Sequence, residues 1–467
     1  MASPGDKTRL LLVWPAVAGA QLHGFLPLGL GYLAANLPDG CEARLSDGVL
    51  SRRPNAEVAD EAERFQPHAV GLSVWHFNLP GAREAIAAIR QRFPSLPILA
   101  GGPTVSGLGT RLFETLDADY GFVGEGEWSL PQFLGLLRRG ELTDAAKRAV
   151  PGLVFRDAAG APAANPPRWE PLDALKPCDY EFIRLDAYLA AGYRYGLHRK
   201  ARRIAPIHTT RGCPFPCEYC SARLISGTRV RTRPVESVVA EIRRLHERLG
   251  IDGFNLIDDN FTFHQDYAKA LCRAILGMGL KGVSFCAPNG IKVEYLDREL
   301  LGLMKQAGWQ ALFIAPESGS ERTLERMRKK VHLPTVREKL ALIREAGLKV
   351  FGFFILGYPG ETADDFRQTI AFACRNAFDW ATFTCFQPLP GTPVCERLIA
   401  EGEIAAAPEG VDYYQVTYAP RGFTVREMRR WRLWALLRFY TSSPRRLAAA
   451  LASYSPLRIL RFLLKLR

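Results

Sequence analysis

No stretch of this chain stays apolar for the roughly 20 residues that a bilayer-crossing helix requires. The N-terminus lacks the basic, apolar and small-residue sections of a signal peptide, so a cytoplasmic protein is expected. Cysteine is scarce, at 10 in 467 residues, and in a reducing compartment that number does not read as a disulfide framework. No Gly-x-Gly-x-x-Gly run follows the first strand candidate. The loop there reads Trp14-Pro15-Ala16-Val17-Ala18-Gly19, which argues against a dinucleotide site. What remains is ordinary for a soluble globular protein, with 48% hydrophobic and 23% charged residues. The length exceeds one ordinary core, so two or three domains are expected. A formal charge of +13 admits anionic partners, but much of it sits in the C-terminal tail.

Over residues 1–140, short apolar runs alternate with amphipathic stretches. Strand candidates are 9–14, 41–46, 69–75, 97–101 and 120–124, with helical patterns at 27–37, 81–92 and 128–138. Five such units predict a doubly wound, Rossmann-like α/β sheet that binds ligands beyond the carboxyl ends of its strands. Residues 141–197 lose this pattern and crowd Pro, Ala and Gly around 160–167, which reads as a linker with a hairpin at most. Alternation resumes over 198–400, with strand candidates 204–209, 253–257, 283–287, 311–315, 350–356 and 381–386. Six βα units fall short of the eight of a closed barrel, so a partial (β/α)6, TIM-like barrel is expected. Residues 401–467 carry no strand signal and read as helices.

Just after the first barrel strand runs Thr210-Arg211-Gly212-Cys213-Pro214-Phe215-Pro216-Cys217-Glu218-Tyr219-Cys220. Three thiolates at spacings of four and three can converge in one small loop, and soft ligands suit iron–sulfur chemistry. Three cysteines on a four-iron cube leave one iron open to a substrate or cofactor. The alternative is a zinc site completed by a distant Cys or His, but no downstream cysteine pair has zinc spacing. The triad also sits where barrels carry their active-site loops. The other seven cysteines (Cys41, Cys178, Cys272, Cys286, Cys374, Cys385 and Cys395) are scattered, mostly in apolar runs, as small buried hydrophobes.

Cys-x3-Cys-x2-Cys with an aromatic before the last cysteine resembles the signature of the radical S-adenosylmethionine superfamily. The resemblance implies a [4Fe-4S] cluster on Cys213, Cys217 and Cys220. It also implies that the open iron chelates S-adenosylmethionine and that one electron releases a 5′-deoxyadenosyl radical. Tyr219 matches the aromatic position beside adenine. Leu256-Ile257-Asp258-Asp259-Asn260 stands where the family's methionine-amine contact follows the second strand. It departs from the common Gly-Gly-Glu, which leaves the roles of Asp258 and Asp259 open. Pro316-Glu317-Ser318-Gly319 resembles the ribose and carboxylate motif, and Leu356-Gly357-Tyr358-Pro359-Gly360-Glu361 an adenine-side loop. Gln387-Pro388-Leu389-Pro390-Gly391-Thr392 follows the sixth strand. The resemblance thus puts Tyr219, Asp258, Asp259, Glu317, Ser318, Gly357, Pro359, Gln387 and Pro390 around S-adenosylmethionine.

The N-terminal layout, with Pro27-Leu28-Gly29-Leu30-Gly31-Tyr32, resembles cobalamin-binding domains fused to radical enzymes. Its expected contacts are Ser73, Val74, Trp75 and His76 after the third strand, then Gly101, Gly102, Pro103 and Thr104 after the fourth. Gly124, Glu125 and Gly126 follow the fifth. Small residues would let a bulky nucleotide tail approach the backbone. The relatives' Asp-x-His-x-x-Gly is here Asp47-Gly48-Val49-Leu50-Ser51, so no histidine from this loop can ligate cobalt. Base-off cobalamin is therefore implied, with the lower face empty, watered, or faced by Trp75 or His76.

The resemblance implies an enzyme that joins both cofactors, foremost a methyltransferase acting on an unactivated carbon of a small-molecule, lipid-like or natural-product substrate. An alternative keeps both cofactors but performs oxidative cyclisation or ring rearrangement, and a further one is a corrinoid sensor or carrier with an inert barrel. A flavodoxin- or ferredoxin-type reductant is implied. A methylthiolating tRNA enzyme would carry three cysteines in the N-terminal domain, where this chain has only Cys41, and no nucleic-acid partner is expected. The span 431–467 holds Arg432, Arg438, Arg445, Arg446, Arg458, Arg461, Lys465 and Arg467 with Trp, Phe, Leu and Ile, and no Asp or Glu. It reads either as helices packed on the barrel or as a basic amphipathic contact with a membrane surface.

Overall fold

The computed structural model describes residues 7–16, 26–198, 200–411 and 414–453. β1 (Thr8–Trp14) is buried along its length except at Arg9, as a strand covered by helices on both faces must be. β2 (Cys41–Asp47), β3 (Ala69–Ser73), β4 (Ile98–Gly101) and β5 (Tyr120–Phe122) join it in parallel, in the order β2-β1-β3-β4-β5. The order reverses between β1 and β3, so the loops beyond their carboxyl ends diverge and open a crevice. The sheet does not stop at residue 140. β6 (Leu153–Arg156) continues it antiparallel to β5 and β7 (Pro162–Ala164) antiparallel to β6, because Leu153, Val154 and Phe155 need burial that the sheet edge supplies.

The second sheet begins with β8 (Ile204–Ile207). A two-residue ladder, β9 (Thr210–Arg211) with β10 (Arg231–Thr232), brackets the cysteine loop. β11 (Gly253–Leu256), β12 (Ser284–Cys286), β13 (Ala311–Glu317), β14 (Lys349–Leu356) and β15 (Trp380–Cys385) complete it. The six parallel strands form two arcs, β12-β11-β8 and β13-β14-β15, joined by bridges at Phe285–Trp309 and Ile291–Ile314. This is the expected partial barrel. Its outer helices bury one stripe each; Val235–Leu249 presents Val238, Ile242 and Leu245 to the core and ends at Gly250 in the left-handed region.

The inner faces of the two arcs differ. On β14, Val350, Phe354 and Leu356 pack under the outer helices, while Phe351, Phe353 and Ile355 alternate to the half-buried inner face. Phe313 of β13 stacks on Phe351 at 5.0 Å and meets Phe353 at 5.7 Å. Across the barrel, the end of the expected linker at Tyr195 and the first residue of the barrel segment, His198, cover β11 and β12. His198 bonds Asn255 (2.9 Å) and Ser284 (2.7 Å), and Asn255 donates to the Tyr195 carbonyl. At the C-terminus, Val425–Thr441 opens on a capping box of Thr424 and Glu427. It buries Met428, Ala435 and Phe439 against the β14–β15 edge, and Pro444–Ser453 follows.

Candidate cofactor site at the domain junction

The cysteine loop begins at Gly212, with φ +100°, where a Cβ would lie 2.1 Å from the Arg229 carbonyl oxygen. Only glycine fits that turn. The Cys213 N–H donates to Gly227 O (3.1 Å) and the Cys220 N–H to Cys217 O (3.2 Å), so the loop doubles back and winds once between its last two cysteines. Burial raises the Cys213 thiol above its ordinary value and pushes Cys220 up to about 12. Without a metal these sulfurs hold their protons, and a bound cation is what converts such groups to thiolates. Three soft donors in a half-buried turn fit an iron–sulfur cluster. Among the described residues no three His, Cys, Asp or Glu side chains converge on a single metal ion, whereas the cysteines of a cubane each take a different iron.

Beside the triad, the Tyr219 hydroxyl donates to Glu317 (2.9 Å), and the same carboxylate oxygen accepts from Lys329 (3.1 Å). Glu317 ends a bulged strand at φ +68°, a backbone conformation unusual for a side-chain-bearing residue and often found at functional sites. Burial works against the Lys329 ammonium, but Glu317 and the nearby thiols outweigh it and hold it at about 12. Sequence reasoning passed over Lys329; its sole signal was a cation soon after the fourth-strand motif. Asp259 accepts from the Gly212 N–H (3.1 Å), and burial raises its carboxyl despite that bond.

The other expected contacts also bond within the protein. Asp258, 2% exposed, takes the Thr209 N–H (2.7 Å) and hydroxyl. Ser318 pairs with Thr369 (2.9 Å). Gln387 donates to the Gln415 carbonyl (2.7 Å). Gly357, at φ +82°, and Tyr358 donate their N–H groups to Glu361 (2.7 and 2.8 Å), shaping the turn through Pro359.

In the N-terminal sheet, the crevice between β1 and β3 is lined by aromatics. Buried Trp14 meets Trp75 and Phe77 edge to face, at 6.4 and 6.2 Å, and Trp75 stays half-buried. Asn78 fixes the turn, accepting from the Trp75 N–H (2.7 Å) and donating to the Ser73 carbonyl (3.1 Å). Gly102, at φ +100°, brings its backbone within reach of Val74, where a Cβ would lie 2.8 Å from the carbonyl oxygen. The Thr104 N–H donates to the same oxygen beside Pro103, while the Cβ position of Gly101 meets nothing closer than 4.0 Å. A half-open indole face and an unfilled glycine position fit a broad, mostly apolar ring with a slender tail. His76 is buried against Phe77, and its carbonyl accepts from Gly410. Asp47 is held by the Leu50 N–H (2.9 Å) and the Tyr188 hydroxyl (2.8 Å), with Val49 buried below. Val17–Gly19 of the loop after β1 fall outside the described residues.

Where the two sheets meet, four charges are buried together. Arg231 donates to both oxygens of Glu125 (2.5 and 2.9 Å), and Arg211 to Glu127 (2.8 Å) with Glu125 at 3.5 Å. Glu125 was expected to face cobalamin. Its carboxylate faces two guanidinium groups of the barrel, which answer its desolvation with full charges. Beside it, the Gly124 N–H donates to Ser106 (3.0 Å), and Gly126 opens the helix Gly126–Arg139 against Leu33. A second contact joins Gly107 to the loop after β15, where a Cβ on Gly107 would lie 2.1 Å from the Pro390 carbonyl oxygen. Arg111 and Glu396 pair beside it at 2.6 Å. The loops beyond β3, β4 and β5 therefore meet the barrel's mouth, and the motif regions for both cofactors border one junction.

Two family descriptions cover this arrangement: the B12 binding domain over residues 17–134 and the Radical SAM superfamily over 207–373. An uncharacterized methyltransferase of Pyrococcus horikoshii is 28% identical over 401 residues, spanning 84% of this chain and 83% of its own. The cytidylyl-2-hydroxyethylphosphonate methyltransferase of Streptomyces wedmorensis is 27% identical, spanning 84% and 80%. Among solved structures, the radical S-adenosylmethionine methyltransferase TsrM of Kitasatospora setae, with cobalamin and a [4Fe-4S] cluster bound, matches at TM-score 0.71. At 22% identity over 85% of this chain and 78% of that one, it shows the shared fold. With both domains in this order, the chain carries the B12-binding and Radical SAM pair of cobalamin-binding radical S-adenosylmethionine enzymes, and both of these sequence relatives are named as methyltransferases.

Proposed function

We propose that this enzyme methylates a carbon of a small, lipid-like substrate held between the N-terminal sheet and the aromatic arc of the barrel. The observation that carries the reading is the junction, where Glu125 and Glu127 clasp Arg211 and Arg231 beside the cysteine loop. That clasp fixes the distance between the two cofactor regions, which group transfer requires. When bound, the cluster with S-adenosylmethionine supplies hydrogen abstraction, and base-off cobalamin supplies the methyl group.

Cys213, Cys217 and Cys220 would hold the cluster. Glu317, Lys329 and Asp259 would bind the zwitterionic end of S-adenosylmethionine, with Tyr219, bonded to Glu317, beside its adenine. Ser73, Trp75, Gly101, Gly102 and Thr104 would seat cobalamin. Phe313, Phe351, Phe353 and Ile355 form the apolar wall that receives substrate and excludes water. No side chain is assigned as a general acid or base. A flavodoxin- or ferredoxin-type protein delivers the electron.

The test is anaerobic reconstitution with iron, sulfide and cobalamin, followed by S-adenosylmethionine and reductant, with products read by mass spectrometry. Both 5′-deoxyadenosine and S-adenosylhomocysteine are expected. Replacing any of Cys213, Cys217 or Cys220 by alanine should abolish the first while cobalamin absorbance persists. Continued 5′-deoxyadenosine formation in those variants, or zinc in place of iron, overturns the reading.

A further inference from the structure

The net charge of +13 is concentrated at one end of the chain. Residues 428–467 contain ten Lys and Arg and no Asp or Glu, which leaves +3 for the 427 residues before them. The described part of that span also carries most of the chain's misplaced apolar surface. Among the described residues, the exposed large hydrophobic side chains are Tyr414 and then Trp434, Leu437, Leu447 and Leu451 on the last two helices.

These side chains are grouped. Trp434 and Leu437, three apart, share one face of Val425–Thr441, and Leu447 and Leu451, four apart, share one face of Pro444–Ser453. Exposed Arg430 and Arg438 stand one turn either side of Trp434, and exposed Arg445 precedes Leu447. The opposite side is the packed one. Met428, Ala435 and Phe439 are buried, and Arg446 donates to the carbonyls of Cys374, Asn376 and Phe378, anchoring the second helix to the barrel. Packing therefore accounts for one face of the pair and leaves the other apolar and cationic. No described helix is long and apolar enough to cross a membrane.

We propose that this face docks the enzyme on an anionic lipid surface, with the apolar side chains at the acyl boundary and the arginines on lipid phosphates. Charge decides among occupants. A second copy would press this cationic face, with exposed Arg430, Arg438 and Arg445, against its like. A nucleic acid would use the arginines but leave Trp434, Leu437, Leu447 and Leu451 in water. The chain beyond residue 453 continues the composition, alternating Leu457, Ile459, Leu460, Phe462, Leu463, Leu464 and Leu466 with Arg458, Arg461, Lys465 and Arg467. This docking stands independently of the methyl-transfer reading.

The test is cosedimentation of the full-length reconstituted enzyme with phosphatidylglycerol–phosphatidylcholine vesicles and with pure phosphatidylcholine vesicles. Binding to the anionic vesicles is expected, at least tenfold above neutral ones and weakening with salt. A Trp434→Ser, Leu437→Ser double variant should lose about tenfold in vesicle affinity while forming 5′-deoxyadenosine at the parental rate without lipid. Equal binding of the two vesicle types, or no loss in the double variant, overturns the proposal. So does tighter retention on an oligonucleotide than on anionic vesicles, or a dimer that the double variant dissolves.

Discussion

Two glutamates at the mouth of the barrel are buried to nearly the same degree, Glu127 at 6% and Glu361 at 3% exposure, yet they hold their protons differently. At the domain junction, burial disfavours the Glu127 carboxylate, but the Arg211 guanidinium outweighs it and holds the carboxyl below its ordinary value. In the fifth-strand loop, Glu361 has only neutral donors, the N–H groups of Gly357 and Tyr358 and the Thr323 hydroxyl. Burial prevails there and raises it to about 8. The partner, and not the depth, decides the charge. The cysteine loop is thus clasped to the N-terminal sheet by full charges, whereas the fifth-strand loop is shaped from within by a largely neutral acid.

Removing the charge from the junction tests this most severely. Arg211→Met leaves Glu127 buried without its cation, and breaking such a pair costs about 3–5 kcal/mol. Denaturant titration of the reconstituted enzyme should show that loss, with reduced iron content because Arg211 leads directly into the cysteine loop. Adding Glu127→Gln should recover much of the stability. An Arg211→Met enzyme as stable as its parent would break the contrast between the two glutamates.

The pH dependences of the two sites should run in opposite directions. An unfolded glutamate titrates near ~4.3. Between there and about 8 the folded protein keeps a proton on Glu361 that the unfolded chain has released, so this contribution declines as pH rises. For Glu127, lowered in the folded state, the contribution is present above the unfolded value and is lost as pH falls through the folded one. Glu361→Gln should flatten the decline of stability between pH 5 and 8, by an amount on the order of a few kcal/mol. A decline that persists unchanged in the variant would remove Glu361 from the account.

The second contact between the domains is made by backbone. Gly107→Ala places a methyl group 2.1 Å from the Pro390 carbonyl oxygen, so the two domains must part slightly. The expected cost is about 1–3 kcal/mol, as for an overpacked core. Because the cysteine loop is clasped elsewhere, the ratio of methylated product to 5′-deoxyadenosine should fall more than 5′-deoxyadenosine itself. Equal loss of both products would mean that this contact also supports the cluster.

Periodicity and strand-end motifs carried much of this arrangement. All eleven parallel strands lie where alternation of apolar runs places them, because each must bury residues on a two- or three-sided packing surface. The Cys213–Cys217–Cys220 loop was legible for a different reason: its chemistry demands those residue types at that spacing. Partner choice was not legible. Nothing local distinguishes Glu125, turned to Arg231 across 106 residues, from a glutamate facing a ligand. Asp258 and Ser318 match motif positions, and each also accepts a backbone N–H, from Thr209 and Ser320 respectively. The role of 193–198 was hidden likewise, since covering the inner face of β11 rests on His198 and Asn255, 57 positions apart. Long-range polar pairing carries no periodic signal.

The smallest effect belongs to Arg111 and Glu396, which lie beside the Gly107 contact at 2.6 Å with side chains 38% and 43% exposed. Water already solvates both charges, and ion pairs of this kind contribute about 0–1 kcal/mol and weaken with salt. Arg111→Ala should therefore shift the unfolding midpoint slightly at low ionic strength and not measurably at 0.5 M salt. The same salt jump should leave the penalty of Arg211→Met nearly intact, since its pair is screened by protein and not by ions. Comparable losses from the two arginine variants, or comparable salt sensitivity, would show that burial does not separate the junction's clasp from its rim. The stronger hold on the cysteine loop would then need another cause.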